Sequence, residues 1–446
     1  MEKVEDSLTE QIKQVAKEFL EISKEKEIEV ISHFDTDGIA SASILTKTLK
    51  KLDKRFSVKI IKRLEKEFIE KLPKEKVILF LDLASGSLDY LRDSNIKNIF
   101  IIDHHEISQE VPENIRIINP EIHEKQKISG AGLSYLFCKE IDSKNKELAK
   151  LAIIGMIGDR LEKEIGKMNN GILIDGEVKT KRGLLIYPST RPLNRTLEFS
   201  SNPYIPGVTG DIKGVLELLR EVGLNSQKQG GYKSIIELDE KEMQKLTTAI
   251  MLRNPKAKSK NIVGDIFLIK FFNKLEDARE LSAKINACSR FGETGIAIQL
   301  CMENPSAKKK AEAIHVKYKQ FLVSGLKYAT AVEKIIGKEF VIINAKEDIK
   351  DTMIGTITSI LSSSPIYDEG TTIFGMANSE DKIKVSARNV GDNGKNVREI
   401  LSKIIEKIGG EVGGHRGAAG CLIDQEKESE FIRYLKESFE LEIVKI

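Results

Sequence analysis

A chain of 446 residues has room for two to four domains, because single domains commonly hold roughly 100 to 200 residues. Charged residues make up 31% and apolar residues 40% of the chain, which excludes wholesale disorder. The 71 basic and 68 acidic residues nearly cancel, so a surface for a polyanion has to be local.

The cysteine pattern and the hydropathy exclude two further classes. Four cysteines lie far apart and form no CxxC pair, which argues against a zinc ribbon and a disulfide framework. No stretch reaches the roughly 18 apolar residues that a membrane span needs. We therefore expect a soluble cytoplasmic protein that does not associate with membranes.

The first part of the chain alternates helices with short apolar strands. Residues 7–24 have helical apolar spacing, and the run Ile28–Ser32 leads into the polar sequence SHFDTDG. A helix over 39–52 follows. The runs Val77–Leu81 and Ile99–Ile102 repeat the design, and each stops at an aspartate. This alternation predicts parallel βαβ units.

The amino-acid composition changes in the middle of the chain. The apolar run Leu151–Ile157 ends in Gly158 and Asp159, and we interpret it as another strand end. Residues 183–232 are rich in proline, glycine and serine, which predicts long loops or an inserted element. A helix is predicted from Asp239 to Arg253, followed by short strands and a helix within 261–300.

The last part opens with a long helix. Asn304 and Pro305 have the pattern of an N-cap and a first-turn proline, and the helix is expected to continue, with breaks, through Ile336. From Glu339 onward the pattern predicts a strand, a helix, two strands, a helix, a glycine-rich stretch and a final helix. The fold class is thus α/β with two lobes, in which a long helix joins a parallel-sheet domain carrying an inserted α/β region to a smaller C-terminal α/β domain.

Acidic and imidazole side chains collect at the predicted strand ends. Ligands of an open parallel sheet bind beyond the carboxyl ends of its strands. The residues expected there are His33, Asp35, Asp37, Asp82, Asp103, His104, His105 and Asp159. Carboxylates with imidazoles suit Mn²⁺ or Mg²⁺, and a bridging carboxylate can hold two such ions roughly 3.5 to 4 Å apart for phosphoester hydrolysis. A single aspartate at a strand end is commonly a helix N-cap, but the clustering of histidines among these aspartates favours a metal site.

Five sequence motifs of this chain resemble those of a known superfamily. Four of them are similar to the DHH phosphoesterase motifs, in the usual order: SHFDTDGIAS at 32–41, LDLASGS at 81–87, IIDHHE at 101–106 and GMIGDR at 155–160. GGHRGAAG at 413–420 resembles the signature of the partner DHHA1 domain. With NACSRFG at 286–292, the chain is most similar to archaeal RecJ-like nucleases. The resemblance implies four regions: a DHH domain at 1–205, an inserted region at 206–285, the end of the core with a linker helix at 286–337, and a DHHA1 domain at 338–446.

The resemblance also implies the metal ligands. Asp35 would bind one of two divalent cations and Asp37 the other, while Asp82 bridges them. His104 and Asp159 would complete the second site. Mn²⁺ is expected to be preferred over Mg²⁺, because imidazole ligands are present.

Three further residues near this site have implied roles, and each role has two alternatives. His33 ligates or supports the first metal. Asp103 either orients an imidazole or binds the first metal directly. His105 would face the scissile phosphate as a hydrogen-bond donor or an acid, so the implied catalytic residues are Asp82, Asp103 and His105.

Substrate contacts are implied in three other segments of the chain. Arg290 would bind the backbone or a base along a groove, and Ser386 with Arg388 would contact the substrate in the DHHA1 domain. The glycine-rich motif would approach a phosphate through backbone N–H groups and two donors, with the residues Gly413, Gly414, His415, Arg416 and Gly417.

Three functions remain open at this point. A RecJ-like exonuclease would remove 5′-mononucleotides from an end of single-stranded DNA or RNA during replication or repair. A small-substrate phosphoesterase would cut short oligoribonucleotides, cyclic dinucleotides or a bisphosphorylated nucleotide. A replication scaffold would bind the GINS complex and the replicative helicase.

Overall fold

The computed structural model describes residues 6–107, 109–123, 126–225, 231–254 and 262–440. They divide into two compact units. The first contains the described residues of Met1–Lys181 and Asp265–His315, and the second those of Arg182–Gly264 and Val316–Ile446. No helix within this described part is both long enough and apolar enough to cross a membrane.

The first unit opens with alternating helices and strands. In chain order these are α1 (Asp6–Ile22), β1 (Ile28–His33), α2 (Thr36–Lys51), β2 (Phe56–Ile61), α3 (Lys66–Glu70), β3 (Val77–Leu81), α4 (Leu88–Arg92), β4 (Asn98–Ile102) and β5 (Ile115–Ile118). The strands form one parallel sheet in the order β2-β1-β3-β4-β5. β3 and β4 are buried throughout, as parallel strands covered on both faces are. The predicted parallel sheet is confirmed.

Three further helices follow: α5 (Gly130–Ile141), α6 (Ala149–Gly158) and α7 (Lys167–Asp175). α5 contacts β4, α6 packs on α2 and α5, and α7 packs on α6. The prediction of a strand at Leu151–Ile157 is wrong, because this segment is the middle of α6. All of its side chains are buried against α2 and α5. An apolar run that is buried on every side has no readable period, so its sequence does not distinguish a buried helix from a buried strand.

The chain next forms β6 (Lys179–Leu184), α8 (Leu193–Glu198), α9 (Ile212–Glu221) and α10 (Glu240–Arg253). The two short helices α8 and α9 lie within the region where long loops or an inserted element were predicted. The predicted start of α10 is confirmed by a capping box, in which Asp239 and Glu242 exchange side-chain to backbone hydrogen bonds of 2.9 and 3.0 Å.

The segment that follows contains β7 (Val263–Phe271), β8 (Lys274–Asp277), α11 (Ala278–Arg290), α12 (Thr294–Cys301) and α13 (Pro305–Ala331). β6, β7 and β8 form a three-stranded sheet. The Asn304 side chain accepts the N–H of Ser306 at 2.9 Å, so the predicted start of the long helix is confirmed. The helix ends at Ala331, before Ile336.

The C-terminal part is a second α/β layer. It contains β9 (Ile335–Ile336), β10 (Phe340–Asn344), α14 (Asp351–Ser362), β11 (Thr372–Ser379), β12 (Lys382–Asn389), α15 (Val397–Ile408), β13 (Glu411–His415), β14 (Ala418–Asp424) and α16 (Glu428–Glu440). The sheet order is β13-β14-β12-β11-β10-β9, with β10 and β11 parallel and the other neighbours antiparallel. The long helix stops early because Ile336 pairs with Val341 in this sheet. The α/β fold with a separate C-terminal domain is confirmed.

Candidate metal centre

The carboxyl ends of neighbouring parallel strands bring the predicted side chains together. β1 ends at His33, while Asp82 and Asp103 directly follow β3 and β4. Leu81 and Ile102, the last residues of β3 and β4, are register partners. Side chains that follow them therefore project from the same edge of the sheet.

The loop after β1 places two carboxylates at the start of α2. Asp35 caps this helix, and its Oδ1 accepts the N–H of Gly38 at 3.0 Å. Asp37 is buried in the first turn and accepts the N–H groups of Gly130 and Ala131, at 2.6 and 3.0 Å, where α5 begins. Helix N-termini carry partial positive charge, so these two carboxylates are held by the starts of two different helices.

His33 lies between two of the carboxylates. Its Nδ1 is 3.0 Å from Oδ2 of Asp35 and 3.6 Å from Oδ2 of Asp82. Burial by itself would lower the pKa of His33, but the proximity of the Asp35 and Asp82 carboxylates outweighs burial and raises that pKa to about 10. Burial would likewise raise the pKa of Asp35, and its bond to His33 instead lowers that pKa to about 2.

Asp159 reaches the same centre from a helix. It is the C-cap residue of α6, which corrects the prediction that it follows a strand. Its Oδ2 is 3.1 Å from Nε2 of His104. Burial would lower the pKa of His104, but Asp159 and Asp82 outweigh it and raise the pKa to about 12. Burial also raises the pKa of Asp37, and the charges of Asp159 and Asp82 raise it further.

Seven of the predicted residues form three overlapping groups of potential ligands. Within each group, the nitrogen or carboxylate oxygen atoms lie within 4.8 Å of one another. The groups are His33–Asp35–Asp82, Asp37–His104–Asp159 and Asp82–His104–His105. Asp82 belongs to two of them, which is the position that a carboxylate shared by neighbouring cations requires.

Buried atoms without partners show that these residues fit divalent cations. Both carboxylate oxygens of Asp82 and Oδ2 of Asp159 are buried and meet no hydrogen-bond donor at suitable geometry among the described residues. Burying an ionised carboxylate without donors is very unfavourable, and a cation removes that cost. Carboxylate oxygens with imidazole nitrogens are the donor set of Mn²⁺, and the oxygens also suit Mg²⁺.

The carboxylate of Asp103 is held by hydrogen bonds from neighbouring residues of the protein. This carboxylate is buried and accepts the N–H of Ser85 at 3.0 Å and that of His104 at 2.8 Å. Its Oδ1 is also 2.6 Å from Nδ1 of His105. Among the described residues, Asp103 belongs to none of the three ligand groups. Of its two open roles, this geometry favours orienting an imidazole.

His105 remains accessible at the rim. Its side chain is 53% exposed, and hydrogen bonding to Asp103 raises its pKa. The carbonyl of His105 accepts a 2.9 Å bond from Asn119, whose amide also donates to Ser85 Oγ at 2.9 Å. Sequence reasoning missed Asn119 and Ser85, although Ser85 lies inside the LDLASGS motif.

Two glycines that motif reading also missed leave room for the buried carboxylates. A methyl group on Gly155 would lie 2.3 Å from Oδ1 of Asp37 and 2.4 Å from Cβ of Ala131. A methyl group on Gly130 would lie 2.9 Å from Oδ1 of Asp82. These distances are below van der Waals contact, so the carboxylates fit only while both positions lack a side chain. A glycine inside the buried run at 151–157 was the available signal.

The predicted substrate residues of the second unit are brought together by strand pairing. Gly420 of β14 is the register partner of both Ser386 in β12 and Gly413 in β13. The glycine-rich motif is therefore part of a β-hairpin, with His415 at the end of β13. Gly414 has φ +122°, and a Cβ there would lie 2.5 Å from a backbone oxygen, so this position requires glycine.

Of the three predicted substrate arginines, Arg388 and Arg290 differ in how firmly they are held. Arg388 is mostly buried and donates to Ser359 Oγ at 2.9 Å and to the carbonyl of Ala419 at 3.2 Å. Burial lowers its pKa. Arg290 is exposed at the end of α11, and its Nε donates to Asn286 at 3.3 Å. Arg416 and Gly417 form the turn that follows His415.

Family models match three consecutive parts of the chain. They are the N-terminal domain of the DHH family at 27–156, the DHH-CID domain at 186–262 and the DHHA1 domain at 329–441. The chain belongs to the DHH/DHHA1 superfamily. The DHH model contains the residues of the candidate metal centre except Asp159, which lies three residues beyond its end, and the DHHA1 model contains the β13–β14 hairpin.

Two curated proteins are similar in sequence to this DHH/DHHA1 chain. An uncharacterized protein of Methanocaldococcus jannaschii is 29% identical, with 92% of each chain covered. A prophage-derived protein of Bacillus subtilis, described as a single-strand DNA-specific exonuclease, is 25% identical over 56% of this chain. The match spans 47% of that exonuclease, about half of its length.

Two solved structures share the fold along most of the chain. Exonuclease RecJ bound to manganese has a TM-score of 0.62 at 17% identity, with 97% of this chain and 94% of that chain covered. CDC45 from Entamoeba histolytica has a TM-score of 0.70 at 12% identity, with 97% and 99% covered. The DHH/DHHA1 chain therefore has a RecJ-like fold, which CDC45 shares.

The DHH domain also carries basic residues beside the metal centre that the sequence motifs did not identify. β2 lies next to β1, and its last residue, Ile61, is the register partner of His33. Lys62 and Arg63 follow directly and are exposed, and in the described part of the chain they make no hydrogen bond or ion pair. Their position after a parallel strand was the available signal.

Proposed function

We propose that this chain is a metal-dependent exonuclease that hydrolyses single-stranded DNA or RNA from an end and releases 5′-mononucleotides, in DNA replication or repair. The observation that carries the proposal is Asp82, a buried carboxylate without donors between two ligand groups. Asp82 shares one group with His33 and Asp35 and another with His104 and His105. His104 also belongs to the third group, with Asp37 and Asp159.

The reaction adds water to phosphorus and breaks the bond to the 3′ oxygen of the neighbouring nucleotide. Two divalent cations held by these residues, with Mn²⁺ preferred, would supply an activated water and neutralise charge on the phosphate. His105 is oriented by Asp103 and donates a hydrogen bond to a phosphate oxygen or the proton that the leaving 3′ oxygen takes up.

Exposed basic side chains, and glycines that let a phosphate approach the backbone closely, support a nucleic-acid substrate. Lys62 and Arg63 flank the centre, and Arg290 provides a further exposed guanidinium. Exposed cations of this kind bind the phosphate backbone without reading sequence. Ser386, Arg388 and the 413–417 segment form a second phosphate contact in the DHHA1 domain. The similarity to the prophage exonuclease and to manganese-bound RecJ agrees with this substrate class.

The test is digestion of end-labelled DNA and RNA oligomers of graded length with Mn²⁺ or Mg²⁺. We expect stepwise loss of mononucleotides from single strands. The rate of this loss should fall by about 10³-fold or more in Asp82→Asn. Asp89→Asn is the control, because Asp89 is a half-exposed carboxylate of the same domain. Cleavage restricted to oligomers of two to five nucleotides would instead indicate a small-substrate phosphoesterase.

A second candidate function is a replication scaffold that binds GINS and the replicative helicase. It is favoured by the fold shared with CDC45 and by the DHH-CID match. That region exposes Ile212, Leu216 and Leu252, whose side chains are 41%, 37% and 73% accessible. A pull-down with purified GINS tests this function, and loss of binding in Leu252→Asp with unchanged nuclease activity would show that one chain has both functions.

A further inference from the structure

Arg160 has an unfavourable backbone conformation directly after a candidate metal ligand. It follows Asp159 at the end of α6, and its N–H donates to the carbonyl of Ile157 at 3.1 Å. Its φ and ψ are 59° and 28°, in the left-handed region that glycine usually occupies at a helix C-terminus. Arginine therefore weakens the helix end that carries Asp159, whereas glycine would not.

Among the described residues, no hydrogen bond or ion pair of the Arg160 side chain offsets the free-energy cost of this backbone conformation. The side chain is exposed, and in the described part of the chain it makes no hydrogen bond and no ion pair within 4 Å. The charge of Arg160 acts on one neighbouring carboxylate, which it shares with two other cations. Glu162 is the nearby carboxylate, and it also interacts electrostatically with Lys163 and Arg279.

Arg279, in the first turn of α11, adds a second positive charge that acts on Glu162. Asp277 holds its guanidinium through bonds of 3.2 and 3.0 Å, and Arg279 is only 8% exposed. Its Nη1 is buried and meets no partner among the described residues. One turn further along α11, the carbonyl of Ser282 accepts a bond of 3.1 Å from Thr36, which lies between two candidate metal ligands. The cations around Glu162 are therefore next to the metal centre.

We infer that Arg160 binds a non-bridging oxygen of the scissile phosphate at the metal centre, an inference that rests on the proposed phosphodiesterase function. Consecutive Cα atoms are about 3.8 Å apart, so a group held beside Asp159 is within the length of an extended arginine side chain at position 160. The guanidinium offers planar, charge-assisted donors that match a phosphate, and it stays charged at every relevant pH.

Glycine at this position provides a test with two opposite readouts. Arg160→Gly removes the backbone strain, so its melting temperature should equal or exceed that of the wild type. It also removes the phosphate contact, so kcat/KM should fall about 10- to 100-fold, the range for one charge-assisted hydrogen bond. Arg160→Lys keeps the charge without the fork and should lose less activity.

Glu177→Gly is a matched control. Glu177 follows the C-cap of α7 with φ 51°, is exposed, and donates its N–H to the carbonyl of Ile174 at 3.1 Å. Both glycine variants should gain similar stability, but only Arg160→Gly should lose activity. Equal losses in the two variants, or wild-type activity in Arg160→Gly, would overturn the inference.

Two further measurements separate a phosphate contact from damage to the metal site. Mn²⁺ affinity, followed by electron paramagnetic resonance, should be the same in wild type and Arg160→Gly, and a weaker affinity in the variant would overturn the inference. Calorimetric binding of thymidine 5′-monophosphate to the Mn²⁺-loaded protein should weaken about 10- to 100-fold in Arg160→Gly. If the wild type binds this nucleotide through Arg160 but hydrolyses no oligomer or bis(p-nitrophenyl) phosphate, the proposed function fails while the phosphate contact stands.

Discussion

Gly155 gives a direct test of how tightly the fold constrains the metal centre. In Gly155→Ala, the new methyl group would lie 2.3 Å from Oδ1 of Asp37 and 2.4 Å from Cβ of Ala131. Asp37 cannot simply rotate away, because the N–H groups of Gly130 and Ala131 hold its two oxygens at 2.6 and 3.0 Å. The substitution must therefore displace α6 or break these two bonds.

The expected magnitude follows from two opposing effects. Alanine in place of glycine inside a helix contributes about 1 kcal/mol of stability. Overpacking of a closed core by one methyl group costs about 1 to 3 kcal/mol. Gly155→Ala should therefore be neutral or destabilised by up to about 2 kcal/mol. Because Asp37 moves, Mn²⁺ affinity should fall by about tenfold or more, the range in which changes to ligand positioning are felt.

The matched control is Gly171→Ala. Gly171 lies within α7, and a methyl group there would have no neighbour within 4 Å. This variant should gain about 1 kcal/mol and bind Mn²⁺ normally. Urea unfolding and Mn²⁺ titration measure both quantities in both proteins. If Gly155→Ala gains as much stability as the control and keeps its Mn²⁺ affinity, the described packing around Asp37 is incorrect.

Three further predictions concern charge. Mn²⁺ at about 100 times its Kd should stabilise the wild type by about 2.7 kcal/mol in calorimetric melting, and EDTA should remove this gain. Asp82→Asn should show no such gain. Asp103→Asn removes the carboxylate that raises the pKa of His105. If protonated His105 donates a proton, the pH at which the rate falls on the alkaline side should therefore decrease. An unchanged alkaline limb of the pH–rate profile would exclude that role. Arg290→Ala should leave the free energy of unfolding within about 0.5 kcal/mol, because the side chain is exposed, and should lower the salt dependence of oligonucleotide binding by about one phosphate contact. Unchanged salt dependence would place Arg290 outside the nucleic-acid path.

Local patterns predicted the parallel sheet and the metal centre because one rule connects them. Strands of parallel sheets end at a common edge, so aspartates and histidines after β1, β3 and β4 had to meet there. Helix starts with a chemical signal were equally readable, since Asp239 and Asn304 mark α10 and α13 by capping bonds. Such bonds involve residues two or three apart, which sequence spacing shows directly.

Other features depend on contacts between distant segments and left little trace in the sequence. The run ending before Asp159 is a helix that α2, α5, α7 and α11 bury together, and its composition alone favours neither a helix nor a strand. Gly130 and Gly155 matter because of carboxylates that lie far from them in sequence. Lys62 and Arg63 become candidates only once β2 is known to lie beside β1.

The two adjacent histidines cannot exchange roles, and the reason is geometric. His104 places Nε2 within 3.1 Å of Asp159 and 3.3 Å of Asp82, in two of the ligand groups. His105 instead has Nδ1 within 2.6 Å of Asp103 and belongs to only one ligand group, with Asp82 and His104. Its side chain is 53% exposed, so it can also meet a bound phosphate. Removing the His104 ring should therefore reduce metal affinity, whereas removing the His105 ring should reduce turnover with the metals bound. A tandem pair at the end of one strand thus divides between holding the cations and contacting the phosphate, because Asp103 engages only the second ring.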